Sequence, residues 1–388
     1  MTRRGNPLKP AIVTDATPFS PEKCSRLIVK IGSALLVDPA GAVRRGWLEG
    51  VVADVAQRVR AGQQVAIVSS GAIALGARRL GLPKGGRASL EDAQAAAATG
   101  QIALSHCWAE LLAGEGLTAA QMLVTLDDLE DRRRYLNAAA TLDRLLALGV
   151  VPVLNENDSV ATAEIRFGDN DRLAARVAQA AGAQGVILLS DIDGLYTANP
   201  GVDPTATLIA RVGVVDARIM AMADAGSASG MGSGGMISKL EAARIAQSAG
   251  CRLAIVSGKV DRPLGRYAET GHGTVFEAPR AATARKAWLA GRLTTRGRLV
   301  VDAGAAQALA DGRSLLAPGV KAVEGRFARG DVIEIVAADG VALARGLSEY
   351  DAEDAARIAG LRKDAAAEAL GYAPRSAMVH RDHMVMLG

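Results

Sequence analysis

Aromatic residues are scarce in this 388-residue sequence: Phe, Tyr and Trp together make up 3%. That excludes a nucleic-acid binder built on rows of stacking rings. Histidine is rarer still, with four in the chain, too few for an imidazole-rich metal site. The three cysteines, Cys24, Cys107 and Cys251, are odd in number, widely spaced and form no CxxC pair. Neither a disulfide framework nor a zinc ribbon fits, so a reducing, cytoplasmic compartment is expected. No apolar run approaches the ~20 residues that cross a bilayer. Excess charge is missing too, since 45 Lys and Arg against 41 Asp and Glu leave a formal charge of +4. Such a balance makes no field able to hold a polyanion non-specifically. Neither a membrane nor a nucleic acid is an expected partner.

Apolar residues are plentiful at 49%, and 22% of residues are charged. A chain of this length and composition builds a sizeable core, with two or three domains as the prior. The first 24 residues hold early arginines and four prolines but no continuous hydrophobic segment. They read as a poorly ordered extension, not a secretory signal.

From Arg26 to about Gly258, short apolar runs alternate with helical patterns. RLIVKIG (26–32), QVAIVSSGA (64–72), LTAAQMLVT (117–125), VVPVLNEND, GVILLSDIDG and RLAIVSG read as strands. Continuously apolar strands separated by helices predict an open, mostly parallel α/β sheet sandwiched by helices. Ligands of such sheets collect beyond the carboxyl ends of the strands. Polar and glycine residues end almost every strand: Lys30-Ile31-Gly32, Ser69-Ser70-Gly71, Asn155 to Asp158, Ser190-Asp191. This coincidence is the most informative pattern in the chain. Past residue 280 the texture changes, and RGRLVVDAG, GVKAVEGRF, GDVIEIVAADG and VALARGLSEY predict a small β-rich domain over 296–375. Residues 281–295 then form a linker, and 376–388 a terminal tail.

Residues 229–250 (SGMGSGGMISKLEAARIAQSAG) form a glycine-rich stretch running into a helical pattern. Unencumbered N–H groups at a helix start cradle anions. Lys239 falls in the first turn, where a cation opposes the helix dipole by ~0.3–1 kcal/mol. That placement is odd unless an anion sits opposite; a flexible linker with a chance lysine is the plain alternative. Gly230, Gly232 and Gly235 spell G-x-G-x-x-G, but ARIMAMADAGSAS before them reads as helix and loop. A dinucleotide fingerprint needs a strand there. The Gly-Lys-Ser/Thr end of a Walker A loop is also missing.

Lys30 sits near the end of the first strand, and lysine is rarely buried unless paired. It either reaches past the sheet edge to solvent or joins Lys239 in flanking one polyphosphate, with Gly32 letting the backbone approach. Asn155, Asn157, Asp158, Asp169, Asn170 and Asp171 cluster around a strand end and the next helix start. Amides and carboxylates there suit an α-amino group, could orient a lysine, or could hold a magnesium ion that keeps several waters. Turn and N-cap use is the alternative for each. Ser70 serves either as an N-cap or as a hydroxyl contact to substrate, and Ser190-Asp191 could meet a nucleotide base or ribose. His380-Arg381-Asp382 imitates the start of a protein-kinase catalytic loop, yet no asparagine follows. His380 and His383, three residues apart and without a thiol companion, are not expected to hold a metal, and no Ser-His-Asp set is credible.

VKIGSALL, VSSGAIALG, QMLVTLDDLEDRRRYLNAAATL, VPVLNENDSVATAEIRFGDNDRLAA, LLSDIDGLYTANP and GMGSGGMISKLEAA occur in this order. Together they resemble the glutamate 5-kinases of the amino acid kinase family, over about 25–280. The β-rich segment resembles the PUA domain that many bacterial members append. The NEND…GDND pair with GGMxxK separates this pattern from aspartate, acetylglutamate, carbamate and uridylate kinases. The resemblance implies ATP-dependent phosphorylation of the side-chain carboxylate of L-glutamate, the committed step of proline synthesis, with proline as feedback inhibitor. By position, Lys30 and Lys239 would contact ATP phosphates, and Asp171 would orient both lysines. Ser70, Asp158 and Asn170 would bind glutamate with Asp169 nearby. Ser190, Asp191 and the run Ser233, Gly234, Gly235, Met236, Ile237, Ser238 and Lys239 would line the nucleotide site. Mg2+ would be held mainly by ATP phosphates, with no dedicated protein ligands. A homo-oligomer, dimer or tetramer, is expected.

The chemistry is coherent on its own terms. A carboxylate nucleophile with pKa near ~4.3 is already ionised at pH 7 and requires no general base. Phosphoryl transfer then needs positioning and charge neutralisation. Three rivals remain at this stage. One is a kinase for another amino acid or carboxylate. A second is an RNA-binding accessory protein led by the C-terminal domain, but residues 296–375 carry 11 Lys/Arg against 12 Asp/Glu, a net of −1. RNA contact normally calls for a basic face. The third, a nicotinamide-dependent oxidoreductase, has its glycines in the wrong context.

Overall fold

The computed structural model describes residues 17–38, 41–160, 170–224, 235–278 and 295–387. Eight strands form the large sheet: β1 (Arg26–Ile31), β2 (Gln64–Ser69), β3 (Ala119–Val124), β4 (Val151–Glu156), β5 (Gly185–Ser190), β6 (Arg211–Val212), β7 (Arg252–Ser257) and β8 (Thr274–Phe276). Their order is β3-β4-β2-β1-β5-β7-β8-β6. All neighbours run parallel except β7 and β8. This is the expected open, mostly parallel sheet.

Both faces are covered, which is why the strands read as unbroken apolar runs. Alternation along β1 divides its residues between two cores. Leu27, Val29 and Ile31 join Val65, Ile67, Ile187 and Leu189 beneath the helices Arg45–Arg60, Leu90–Gly114 and Pro263–Thr270. Ile28 joins Ala66, Val68, Val186 and Leu188 on the opposite face, beneath Arg132–Ala147, Asn170–Ala181 and Met236–Ser248. Lys30 has the parity of Ile28, so its side chain leaves the sheet toward that second set of helices. β1 lies between β2 and β5, with Lys30 level with Val68 and Leu188. The ends of these three strands therefore share one rim.

Two helices on the other face make unusually close contact. Ala72–Leu80 crosses Leu90–Gly114 backbone to backbone at Gly76 and Gly100. A Cβ on Gly76 would stand 1.7 Å from the Ala96 carbonyl oxygen, and one on Gly100 would stand 1.8 Å from that of Ala72. Only glycine permits this approach.

A second sheet is built from β9 (Gly297–Val301), β10 (Val320–Gly325), β11 (Val332–Ala337), β12 (Ala342–Leu347) and β13 (Met384–Met386), ordered β10-β9-β11-β12-β13. Leu299, Ile333, Ile335, Tyr350 and Val379 are among its own buried core. Val332 and Leu347 instead pack into the core of the larger unit. Arg329 donates to Asn137 and approaches Glu349 at 3.4 Å, while His383 meets the Tyr135 ring edge-on at 5.8 Å.

Two expectations about the ends need correction. The extension expected to be poorly ordered through residue 24 is packed from Thr17 onward: Phe19 and Cys24 are buried, and Phe19 meets Tyr267 with ring centroids 6.1 Å apart. Residues 1–16 lie outside the described residues. Nor does the β-rich unit close at 375, because β13 pairs with β12 and Met378 and Val379 are buried in its core. A closing strand of three residues is too short to show periodicity. The expected linker, 281–295, lies outside the described residues except for Thr295.

Candidate active site

Three charged side chains meet beyond the rim. The Lys30 ammonium lies 2.5 Å from Asp171 Oδ1, and the Lys239 ammonium lies 2.9 Å from Asp171 Oδ2. All three residues are buried, with Asp171 only 1% exposed. Burial pushes the Asp171 carboxyl upward, but the ammonium groups of Lys30 and Lys239 outweigh it and hold the carboxyl below its ordinary range. Among the described residues, two ammonium groups meet on this one carboxylate, and fixed cations of this kind suit an anion.

Local structure explains the convergence. Asp171 is the second residue of the helix Asn170–Ala181, where its charge suits the positive helix end. Lys239 lies in the first turn of Met236–Ser248, whose N-cap is Gly235, and its ammonium finds Asp171 instead of opposing the helix dipole unpaired. The segment before the glycine stretch is helical over Ala217–Asp224, so the strand demanded by a dinucleotide fingerprint is replaced by helix. Met236 and Ser238 are half-buried, whereas Gly235 and Ile237 are exposed at the same helix start.

Beside the charged cluster lies a cage of amides. The Asn170 Nδ2 group donates to Ser70 Oγ at 2.7 Å, to Asn155 Oδ1 at 3.0 Å and to the Ser69 carbonyl at 3.3 Å. Ser70 follows β2, and its backbone N–H reaches the Ile31 carbonyl at 3.2 Å, tying this turn to the end of β1. Gly71 makes the turn at φ +108° and serves as N-cap of the next helix without a side-chain capping bond. Ser70 is thus released from the capping role that sequence alone allowed it. Asn170 Oδ1 is buried and has no hydrogen-bond partner among the described residues. The same holds for Asp158 Oδ1. Burial raises the Asp158 carboxyl to about 6, a shift only partly opposed by Arg87. Two orphaned acceptors near a cationic cluster invite a donor-rich ligand.

Asp158 lines a cleft of about 200 Å3 with Gln101, Ile102, Leu123 and Asn157. On the other side of β1, Ser190 ends β5, which pairs Leu189 with Ile31; its hydroxyl donates to Asp191 at 3.1 Å, and Asp191 is exposed. The rim therefore brings together Lys30, Ser70, Asn170, Asp171 and Lys239, with Asp158 and Ser190 alongside. Asp169, Ser233 and Gly234 lie outside the described residues. Sequence reasoning missed Gln101, which accepts from Asn155 Nδ2 at 2.9 Å, and Trp108, whose indole N–H donates to Ser69 Oγ at 2.9 Å. Both belong to an Ala-rich helix that carries no motif, and only their polarity amid alanines could have drawn notice.

His383 packs against Tyr135 and Glu349. Among the described residues, no group of three or more His, Cys, Asp or Glu is placed to hold a metal ion.

Known proteins resemble this chain. Residues 25–257 match the amino acid kinase family, and 297–368 match the PUA domain. The chain is 73% identical over 369 residues to glutamate 5-kinase of Sphingopyxis alaskensis, covering 95% of this chain and 99% of that one. It is 62% identical over 369 residues to glutamate 5-kinase of Zymomonas mobilis, covering 95% and 93%. Among solved structures, UMP kinase from Bacillus anthracis is 15% identical at a TM-score of 0.44, covering 66% of this chain and 96% of that one. On the strength of the matched residues and the near full-length relatives, this chain belongs to the amino acid kinase family of phosphotransferases and carries a C-terminal PUA domain.

Proposed function

We propose that this chain transfers the γ-phosphoryl group of ATP to the side-chain carboxylate of L-glutamate, giving γ-glutamyl phosphate and ADP. The observation that carries this reading is the pair Lys30 and Lys239 on one buried carboxylate, next to the orphaned acceptors of Asn170 and Asp158. The similarity to glutamate 5-kinases points the same way.

In this reading an oxygen of the substrate carboxylate attacks the γ-phosphorus. The bond to the β,γ-bridging oxygen breaks, ADP leaves with that electron pair, and no proton moves. Lys30 and Lys239 neutralise charge on the migrating group and the β-phosphate, where preorganised cations act most strongly. Asp171 holds both ammonium groups in place without touching the phosphate. Asn170 Oδ1 and Asp158 accept from the substrate ammonium, Ser70 contacts its carboxylate, and Asp169 is assigned nearby. Ser190, Asp191 and residues 233–239 border the nucleotide. Mg2+ supplies further neutralisation on the phosphates. Both Asp171 oxygens are engaged by lysines, so we assign the ion's ligands to phosphate and water.

We further propose that this is the first step of proline biosynthesis, run in the cytoplasm by a homo-oligomer, with proline as feedback inhibitor. We divide the chain into a kinase domain over 25–280 and a PUA domain that begins near 296. The test is ADP release from ATP and glutamate, with hydroxylamine trapping the acyl phosphate, with and without proline. Glutamyl hydroxamate formed in step with ADP supports the reading. Turnover only with aspartate, acetylglutamate or carbamate overturns it.

A further inference from the structure

Beyond the residues that touch substrate in the preceding reading, a chain of side-chain amides runs away from the site. Asn170 Nδ2 donates to Asn155 Oδ1 at 3.0 Å, Asn155 Nδ2 donates to Gln101 Oε1 at 2.9 Å, and Gln101 Nε2 donates to Ser105 Oγ at 3.1 Å. All three bonds point the same way. Their direction is set at the substrate end, because the Ser69 carbonyl beside Asn170 Nδ2 can only accept. With the Asn170 NH2 group held by Ser69, Ser70 and Asn155, its Oδ1 is left buried without a partner among the described residues.

We propose that Gln101 is a positioning residue for recognition of the substrate α-ammonium. It fixes Asn155, which fixes the Asn170 amide so that Oδ1 faces the ligand as an acceptor. Gln101 also lines the cleft that Asp158 borders. Its place is secured by the adjacent Gly100, whose contact with the Ala72 carbonyl sets the register of the helix against the turn bearing Ser70. A helix without any recognisable motif thereby controls the polarity of the substrate cage. Removing one link leaves Asn155 Nδ2 buried and unpaired and frees both amides to reorient, at a cost of the order of one lost buried hydrogen bond.

This inference rests on the glutamate kinase reading and is tested in the full-length enzyme with two substrate-like acids. Glutamate carries the α-ammonium; glutarate has the same two carboxylates and lacks it. Gln101→Met keeps the volume and removes both polar atoms, and Gln101→Glu keeps the acceptor for Asn155. For Gln101→Met the KM for glutamate should rise about tenfold, while the Ki of glutarate as competitor and the KM for ATP stay within twofold. Gln101→Glu should recover most of the glutamate affinity. Equal losses for glutamate and glutarate, or an unchanged KM, would overturn the positioning role while leaving the kinase reading intact. Should Gln101→Met fail to fold, Gln101→Ala is compared in the same way. Failure of the unmodified enzyme to phosphorylate glutamate removes both readings together.

Discussion

Lys30 and Lys239 grip opposite oxygens of one carboxylate, that of Asp171, at 2.5 and 2.9 Å. One lysine comes from the central strand of the sheet, the other from a late helix. Had their nitrogens lain on opposite sides of the molecule, the proposed phosphoryl-transfer chemistry would have no centre.

Lys30→Ala and Lys239→Ala should each lower kcat by about 100- to 1,000-fold, the cost of losing one preorganised charge in a transition state. Steady-state kinetics with both substrates checks this. A change confined to KM, with wild-type turnover, would mean that the lysine binds ground state and transition state alike.

In the proposed reading, Asp158 links glutamate binding to pH. Its carboxyl is raised by burial to about 6, so a growing fraction is protonated below that pH and ceases to attract an ammonium. The kcat/KM for glutamate should fall on acidification through pH 6, and Asp158→Asn should flatten that limb while raising KM. The sign for stability is opposite. The folded state holds this proton more tightly than the unfolded chain, so stability declines as pH rises from about 4 to 6. At pH 7, Asp158→Asn should stabilise the free protein by on the order of 1–3 kcal/mol, measured by denaturant unfolding.

Gly100→Ala places a methyl group 1.8 Å from the Ala72 carbonyl oxygen. Forcing the two helices apart should cost about 1–3 kcal/mol or more and lower Tm by several degrees, with a rise in KM for glutamate as the Ser70 turn shifts. Gly114→Ala in the same helix meets nothing within 4 Å. It should be neutral or slightly stabilising, and the pair of Tm values separates packing from helix propensity.

Where the two units meet, the second carries a partly buried ionic cluster of Arg329, Glu349 and His383, from which Arg329 reaches across to Asn137. Burial alone would raise the Glu349 carboxyl, but His383 and Arg329 outweigh it and hold it below its ordinary range. That contribution is present above about pH 4.5 and lost as pH falls below it. Arg329→Ala removes the pairing to Glu349 and the bond to Asn137, at a cost of about 1–3 kcal/mol. Calorimetry should show one unfolding transition in the unmodified protein at pH 7, splitting into two in the variant or at pH 4.

The strands could be read from the chain because burial on both faces writes the same apolar run each time. The charged rim could be read because polar residues end those runs. β6 and β8 were missed because two or three residues carry no period, and β8 also reverses direction at the sheet edge. Phe19 gave no signal either; a lone aromatic among prolines becomes core only once Tyr267, distant in sequence, is folded beside it.

Local sequence decided where helices start, where strands stop, and that two lysines stand in unusual places. Folding alone decided that those lysines share one carboxylate, because parity along β1 and the order of the strands bring Lys30 and the start of the Asn170 helix to the same face. Gln101 depends on tertiary structure even more completely. Its neighbours in sequence are inert, and its amide acquires meaning only from Asn155 across a packed interface. Hydrogen-bond polarity is a property of the assembled network, so no stretch of the chain read by itself can carry it.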